Sequence, residues 1–297
     1  MFFKKLNIND LNEIATFTSQ FAPYSDFNPT SLWIWNTTDQ AEYRLQDDVL
    51  IIRIPDYLNP DETVLSLLGN KNVNKTLIDI IEQWPKLNAT HLSMVPHTTI
   101  EAIDEKIKNE LTIEEDTNNH DYIYELQNLI NPIGNQLKSV RRKINKFSEH
   151  NSSISVREVD LRIKSNHKII LDMFSEWVTI SGKEVDTIDN DLLSLKRTLE
   201  YSSMFDLITI GVFVNEKMIG FTIRELLAND YVIGHKGAYN YNYDGINQFL
   251  EQQTAIHAAQ RGKRYLNLEQ DLGIDSLRAS KRLLRQVHYL KKYIIKF

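Results

Sequence analysis

At 297 residues the chain has room for two domains of ordinary size or one large one. Its 42% hydrophobic and 25% charged residues are those of a soluble globular protein, and its net charge of −6 argues against wholesale nucleic-acid binding while allowing a local basic groove. The absence of cysteine excludes disulfides, Cys-ligated zinc and a cysteine nucleophile, and it fits a cytoplasmic protein. The opening MFFKKLNINDLNEI lacks the apolar core of a signal peptide, and no apolar run approaches the roughly 20 residues of a membrane span, so any membrane contact is expected to be peripheral.

In chain order, Phe2–Ile8 reads as a strand and Asp10–Phe21 as a helix carrying Leu11, Ile14, Ala15 and Phe17 at helical spacing. FAPYSDFNPTSLWIWNT is turn-rich and dense in aromatics, with Trp33 and Trp35 expected at the surface. A hairpin is expected from Tyr43–Leu45 and Val49–Ile54. Helix Thr76–Trp84, strand His91–Val95, helix Thr98–Leu111 and strand His120–Leu126 follow. The second half repeats this order. It has strand Ser153–Val159, helix Asn166–Val178, a hairpin of Leu207–Val214 and Met218–Glu225, and strand Tyr231–Lys236. Helix Ile246–Arg261, strand Tyr265–Glu269, helix Ser276–Leu284 and strand His288–Ile295 complete it. Residue identity between the halves is slight, so the repeat is one of element order.

That order, an α/β chain of mixed sheets, resembles two GNAT (N-acetyltransferase) folds in tandem. The expected division is 1–130, a basic linker helix over 131–150, and 151–297. In the linker QLKSVRRKINKFSEH, Leu137, Val140, Ile144 and Phe147 form an apolar stripe, while Lys138, Arg141, Arg142, Lys143 and Lys146 supply five charges. Such a run is either a solvated basic face or a phosphate-binding surface.

The segment YLNLEQDLGIDSLRASK concentrates polar residues after a strand. Alternation places Asn267 and Glu269 on one face, with Asp271 just beyond, Gly273 as punctuation, and Arg278, Lys281, Arg282 and Arg285 as a cationic stripe on the next helix. Glu269 and Asp271 are the candidate general base or amine-binding carboxylates, a strand-end pair that attracts a cationic amino group. Their structural alternative is ion pairing with Arg278 and Lys281. His235 stands near an aromatic turn, as a catalytic group or as a hydrogen-bonded histidine. No histidine spacing suits a metal, and no Walker, G-x-S-x-G or dinucleotide motif occurs.

FAPYSDFNPTSLWIWNT, the stretch from MVPHTTIEAIDEK into LKSVRRKINKF, and GINQFLEQQTAIHAAQRGKRYLNLEQDLGIDSLRASKRLLRQVHYLKKY together resemble one bacterial family. It is the family related to the C-terminal domain of phosphatidylglycerol lysyltransferases, akin to the Fem-type aminoacyl transferases. The resemblance spans nearly the whole chain and is densest in the last third. Its recurring motifs match Asp26, Arg142, Asn145, Asn267, Glu269, Asp271, Gly273, Arg278 and Lys281. The linker reads RRKIN where the family often has a Lys-Arg-Asn run, which leaves that register open. The resemblance implies acyl or aminoacyl transfer, with an aminoacyl-tRNA donor and a cleft between the halves. Acyl-CoA members of the GNAT fold hold pyrophosphate at a Q/R-x-x-G-x-G/A turn, and the corresponding YNYNYDGIN has only Gly245. An intact CoA loop is therefore not expected, and the cofactor stays open. The alternatives are a non-catalytic protein binding an anionic or amino-acid-like ligand, and a peripheral protein that modifies lipid headgroups. Substrate contacts are expected from Arg141, Arg142, Lys143, Asn145, His235, Asn267, Arg278 and Lys281, with Arg142 and Glu269 on one cavity.

Overall fold

A computed structural model describes residues 3–59, 62–87, 89, 91–182 and 185–297, without the side chains of 185–188. The chain forms two compact units, and neither is contiguous. One comprises Met1–Asp121, Gln270–Ile274 and Tyr289–Phe297; the other comprises Tyr122–Glu269 and Asp275–His288. The expected halves 1–130 and 151–297 were contiguous. The difference arises because the first sheet takes in the strand Lys292–Lys296 from the expected second half and the second sheet takes in the strand Asp121–Glu125 from the expected first half.

Among the described residues the strands are β1 (Lys4–Lys5), β2 (Glu42–Gln46), β3 (Val49–Pro55), β4 (Thr63–Gly69), β5 (Leu92–Pro96), β6 (Thr112–Glu115) and β7 (Asp121–Glu125). They continue with β8 (Ile154–Glu158), β9 (Leu207–Val214), β10 (Lys217–Leu226), β11 (Tyr231–Tyr239), β12 (Tyr265–Asn267), β13 (His288–Leu290) and β14 (Lys292–Lys296). The first sheet runs β1-β2-β3-β4-β5-β14-β6 and the second β13-β7-β12-β11-β10-β9-β8. Each contains a parallel pair, β4/β5 in the first and β11/β12 in the second. A parallel neighbour needs a crossover, and helices Val73–Gln83 and Ile246–Ala259 supply them. The same strand–helix–strand device in both units is the structural form of the repeat.

In the first unit, Ile51, Leu65, Leu67, Leu77, Ile80 and Leu92 pack the helix onto the sheet. In the second, Phe174, Trp177, Leu195, Phe213, Phe221 and Ile223 close the face opposite Ile246–Ala259. Helix Lys138–His150, the expected linker, lies within the second unit. Its apolar stripe is buried at Val140, Ile144 and Phe147, and the Phe147 ring lies 4.7 Å from that of Phe249.

Several expected elements differ. The strand expected over 2–8 reduces to Lys4–Lys5 (Phe2 lies outside the described residues). Asn7 then caps a turn at Ile8–Asp10, where its side chain accepts the Asn9 N–H and Asp10 accepts the Asn7 N–H. The helix expected over 98–111 is two short ones, His97–Glu101 and Glu105–Lys108, because Asp104 between them is extended. The aromatic passage contains a helix, Pro29–Ile34, started by Asn28 accepting the Ser31 N–H at 2.7 Å with proline in the first turn. That helix turns Trp33 inward and leaves Trp35 only partly exposed, which corrects the surface placement expected for both. β14 and β13 replace one final strand and belong to different sheets.

Candidate functional site

The most elaborate polar construction of the second unit lies where its two parallel strands part. β11 and β12 are paired only at Tyr231/Tyr265, Val232/Leu266 and Ile233/Asn267. β11 then continues to Tyr239 while β12 ends, and ligands of open α/β sheets favour such carboxyl ends of parallel strands. At the parting, β11 carries a bulge. Ile223 of β10 faces Lys236 and Arg224 faces Gly234, so His235 is the extra residue that the register passes over. A bulge re-aims a side chain without breaking the sheet.

His235 is thereby set between two carboxylates. Its Nε2 lies 3.1 Å from Glu225 Oε2, and its Nδ1 3.6 Å from Glu269 Oε1. The imidazole side chain is fully buried, whereas Glu225 and Glu269 retain 14% and 18% exposure, so a ligand can approach the acids but not the ring. Burial works against the imidazolium, but Glu225 and then Glu269 outweigh it and raise the pKa above the ordinary histidine value.

Glu269 itself is held in a costly conformation. Its φ is +58°, the left-handed region, which costs a non-glycine residue about 1 kcal/mol. Two of the expected site residues maintain it. The buried Asn267 side chain accepts the Glu269 N–H at 2.7 Å, forming an Asx turn. Lys281, also buried, donates to the carbonyls of Leu268 and, at 3.3 Å, Glu269, with its ammonium 5.8 Å from the Tyr122 ring centre. Tyr124 fixes the helix bearing Lys281 by donating its hydroxyl to the Lys281 carbonyl at 2.8 Å. The structure therefore brings Glu269, His235, Asn267 and Lys281 together and adds Glu225. Asn267 and Lys281 act on the backbone that presents Glu269.

Asp271 falls in the first unit, fully buried, its Oδ1 accepting the Gly273 N–H at 2.8 Å. Arg278 is half-buried on helix Asp275–Leu283, which ends before Arg285, so the expected four-residue stripe is shorter than its spacing implied. On helix Lys138–His150, Arg141 donates to the Pro132 carbonyl, Arg142 and Asn145 are exposed, and Lys143 and Lys146 both pair with Asp244. Lys143 and then Lys146 lower the Asp244 pKa to about 2.

That last contact explains the single glycine of the YNYNYDGIN turn. Gly245 has φ +91°, and a Cβ there would lie 2.1 Å from the Lys143 carbonyl oxygen. The glycine lets the basic helix close onto the start of helix Ile246–Ala259, the position at which CoA-dependent relatives of the fold cradle pyrophosphate.

The first unit contains a second polar cluster, of which the sequence marked only Asp26. Lys292 of β14, fully buried, contacts Asp26 and lies 2.7 Å from Asp121 and 3.2 Å from the Ser25 hydroxyl. Ser25 donates its N–H and hydroxyl to Asp121 at 2.8 and 2.6 Å, and Tyr57 and Gln270 donate to Asp26 at 3.1 and 3.2 Å. One ammonium faces two buried carboxylates. Burial first, and Asp121 next among the raising causes, push the Asp26 pKa up to about 6 against the pull of Lys292.

Two sheets, each with one parallel pair, one crossover helix and flanking antiparallel strands, define a tandem GNAT-like fold of the Fem type. The chain belongs to the family described as phosphatidylglycerol lysyltransferase, C-terminal, whose model matches residues 22–296. A conserved protein of unknown function from Bacteroides thetaiotaomicron VPI-5482 superposes with a TM-score of 0.86 at 21% identity, covering 99% of each chain. The C-terminal domain of a putative lysylphosphatidylglycerol synthetase from Agrobacterium fabrum gives 0.67 at 10% identity, covering 98% of this chain and 92% of that one. FemX gives 0.59 at 9% identity, covering 99% and 97%. At these identities the likenesses establish the fold. None of the curated proteins compared with the chain matches it. Among the described residues no helix is long and apolar enough to cross a membrane, and no group of histidines and acids could hold a metal ion.

Proposed function

We propose that the chain is an acyl- or aminoacyl-transferase in which Glu269 receives the cationic amino group of an aminoacyl donor. The observation that carries this reading is the conformation of Glu269. A left-handed glutamate, braced by Asn267 and Lys281 and partly open to solvent, is retained at a cost in stability. With His235 charged, the group Glu225–His235–Glu269 carries one net negative charge, which suits an ammonium and disfavours an anionic ligand. Family membership supports transfer chemistry, and the lysyl-lipid synthetase and FemX structures support amino-acid-bearing donors. The close seat of Lys143 on Gly245 supports tRNA rather than CoA as the carrier, with the exposed Arg142 and Lys138 available to phosphate.

In the proposed reaction an acceptor hydroxyl or amine attacks the aminoacyl carbonyl. The new ester or amide bond forms as the ester bond to the carrier breaks, and the acceptor's proton passes to the departing oxygen. Glu269 fixes the amino group adjacent to that carbonyl and thereby aims the carbonyl.

The test is incubation of the purified chain with tRNAs charged with labelled amino acids and, separately, with labelled acyl-CoAs, each with phosphatidylglycerol or a small-molecule amine as acceptor. Transfer from charged tRNA that falls at least about a hundredfold in E269Q supports the proposal. Transfer from acyl-CoA alone, or ligand binding with no turnover from any donor, overturns it. Mass spectrometry of co-purified ligand identifies the occupant in the latter case.

A further inference from the structure

The His235 ring has two nitrogens, and a carboxylate faces each: Glu225 at 3.1 Å on Nε2 and Glu269 at 3.6 Å on Nδ1. Charged groups around the ring come from three strands and one helix, whose Lys281 ammonium sits on the carbonyls of Leu268 and Glu269. Glu225 is on β10, Glu269 follows β12, and Lys236 is the next residue of β11; Arg224 leaves the opposite face of its strand and pairs with Glu251 of helix Ile246–Ala259 at 2.7 Å. A neutral imidazole has one N–H. Given to Glu225, the nearer acid, it leaves the Nδ1 lone pair against the Glu269 carboxylate, a repulsive contact between two acceptors. Only the imidazolium turns an N–H to both acids, in a hydrogen bond to Glu225 and a longer ion-pair contact to Glu269.

We propose that Glu225 is a positioning residue: by claiming the Nε2 hydrogen it makes the charged ring the only form that can also serve Glu269, and so couples amine capture at Glu269 to release of the His235 proton. This deepens the reading of Glu269 as the amine acceptor and rests on it for the second half alone. The exchange balances. The ligand's ammonium takes the place of the Nδ1–H at Glu269, one proton leaves to solvent, and the two carboxylates, the neutral ring and the bound ammonium together carry the same net charge of −1. Amine affinity therefore rises with pH, up to about tenfold per unit, until His235 is neutral in the free protein. In E225Q the ring has no second carboxylate to serve. It stays neutral near pH 7, points its single hydrogen at Glu269, and the proton exchange disappears.

The experiment uses the full chain labelled with ¹⁵N-histidine, with the His235 signals identified by their loss in H235Q, and glycinamide as a small ammonium mimic of an aminoacyl ester. In the wild type at pH 6 both His235 nitrogens should be protonated. In E225Q the titration should fall by at least about one pH unit, a tenfold weaker hold on the proton. E225D, which keeps the carboxylate, should restore most of it. Calorimetry in buffers of differing ionisation heat should count a proton released on glycinamide binding to the wild type and none with E225Q. A singly protonated His235 in the wild type at pH 6 overturns the assignment, even if E225Q does not fold, and so does an unchanged titration in E225Q. If the ring titrates as stated but glycinamide does not bind, the amine reading of Glu269 falls and the role of Glu225 stands.

Discussion

Lys292 and Asp26 are paired with both side chains wholly withdrawn from solvent, and Asp121 completes the contact from the other side of the ammonium. Ion pairs of this kind contribute little net stability relative to apolar packing, yet breaking one is expensive because the remaining charge stays buried. K292M removes the ammonium that both acids contact and should cost about 3–5 kcal/mol in urea unfolding. D26N leaves a balanced Lys292–Asp121 pair and should cost distinctly less. Equal costs would mean that the two carboxylates do not depend on the one ammonium.

The same cluster sets a pH dependence with a definite sign. Asp26 has a folded-state pKa of about 6 against an ordinary value of 3.8. The folded protein therefore holds the proton more tightly than the unfolded chain. Its contribution to stability is full below pH 3.8 and is lost as the pH rises through about 6. Because other carboxylates titrate in the same range, the measurement is a difference: the stability of the wild type relative to D26N should decline between pH 4 and pH 6.5. A difference that rises across that window would show that Lys292 dominates and that Asp26 stays ionised.

Much of the fold was legible because hydrophobic period survives in the long elements. Helix Lys138–His150 announced its buried face through Val140, Ile144 and Phe147, and the β9–β10 hairpin through its alternation around Asn215–Lys217. What escaped lacked such a period. β6, TIEE, exposes three of four residues and has no apolar face. β4, TVLSLLG, carries leucines on both sides of Ser66 without strict alternation, a short stretch that fits helix or strand equally. Helix Val185–Glu200 went unread, although its Leu195 and Leu199 enter the core. Within the site, Asn267 and Glu269 stood out from two-residue alternation, although β12 ends at Asn267 and Glu269 follows it in a left-handed turn. Glu225 was not, because its partnership with His235 depends on a bulge that shifts the register by one residue. Lys292 was not singled out, because it stands four residues from the exposed Lys296 on β14 and nothing in the pattern separates the two.

Asn267 offers a way to disturb Glu269 without touching its carboxylate. N267A removes the acceptor of the Glu269 N–H and leaves that donor buried, at about 1–3 kcal/mol. Freed of its brace, Glu269 can relax from φ +58°, so amine binding or transfer should fall about tenfold or more, while N267D, which retains the accepting oxygen, should recover most of the loss. Unchanged glycinamide binding in a folded N267A would show that the left-handed turn is not required.

Gly245 tests the seating of the basic helix. Both Gly245 and Gly134 have strongly positive φ, +91° and +87°, so alanine at either costs about 1 kcal/mol in backbone strain. They differ in what a Cβ would meet: open space at Gly134, but the Lys143 carbonyl oxygen at 2.1 Å at Gly245. That obstacle is backbone, and neither rotamer change nor side-chain bending relieves it. Helix Lys138–His150 must shift as a body, which moves Lys143 and Lys146 relative to Asp244 and loosens Phe147 from Phe249. G245A should therefore lose about 3 kcal/mol more than G134A, with amide exchange accelerated across residues 138–150 in G245A alone. Matching stabilities and exchange in the two variants would remove the argument that this glycine exists for the helix packed upon it.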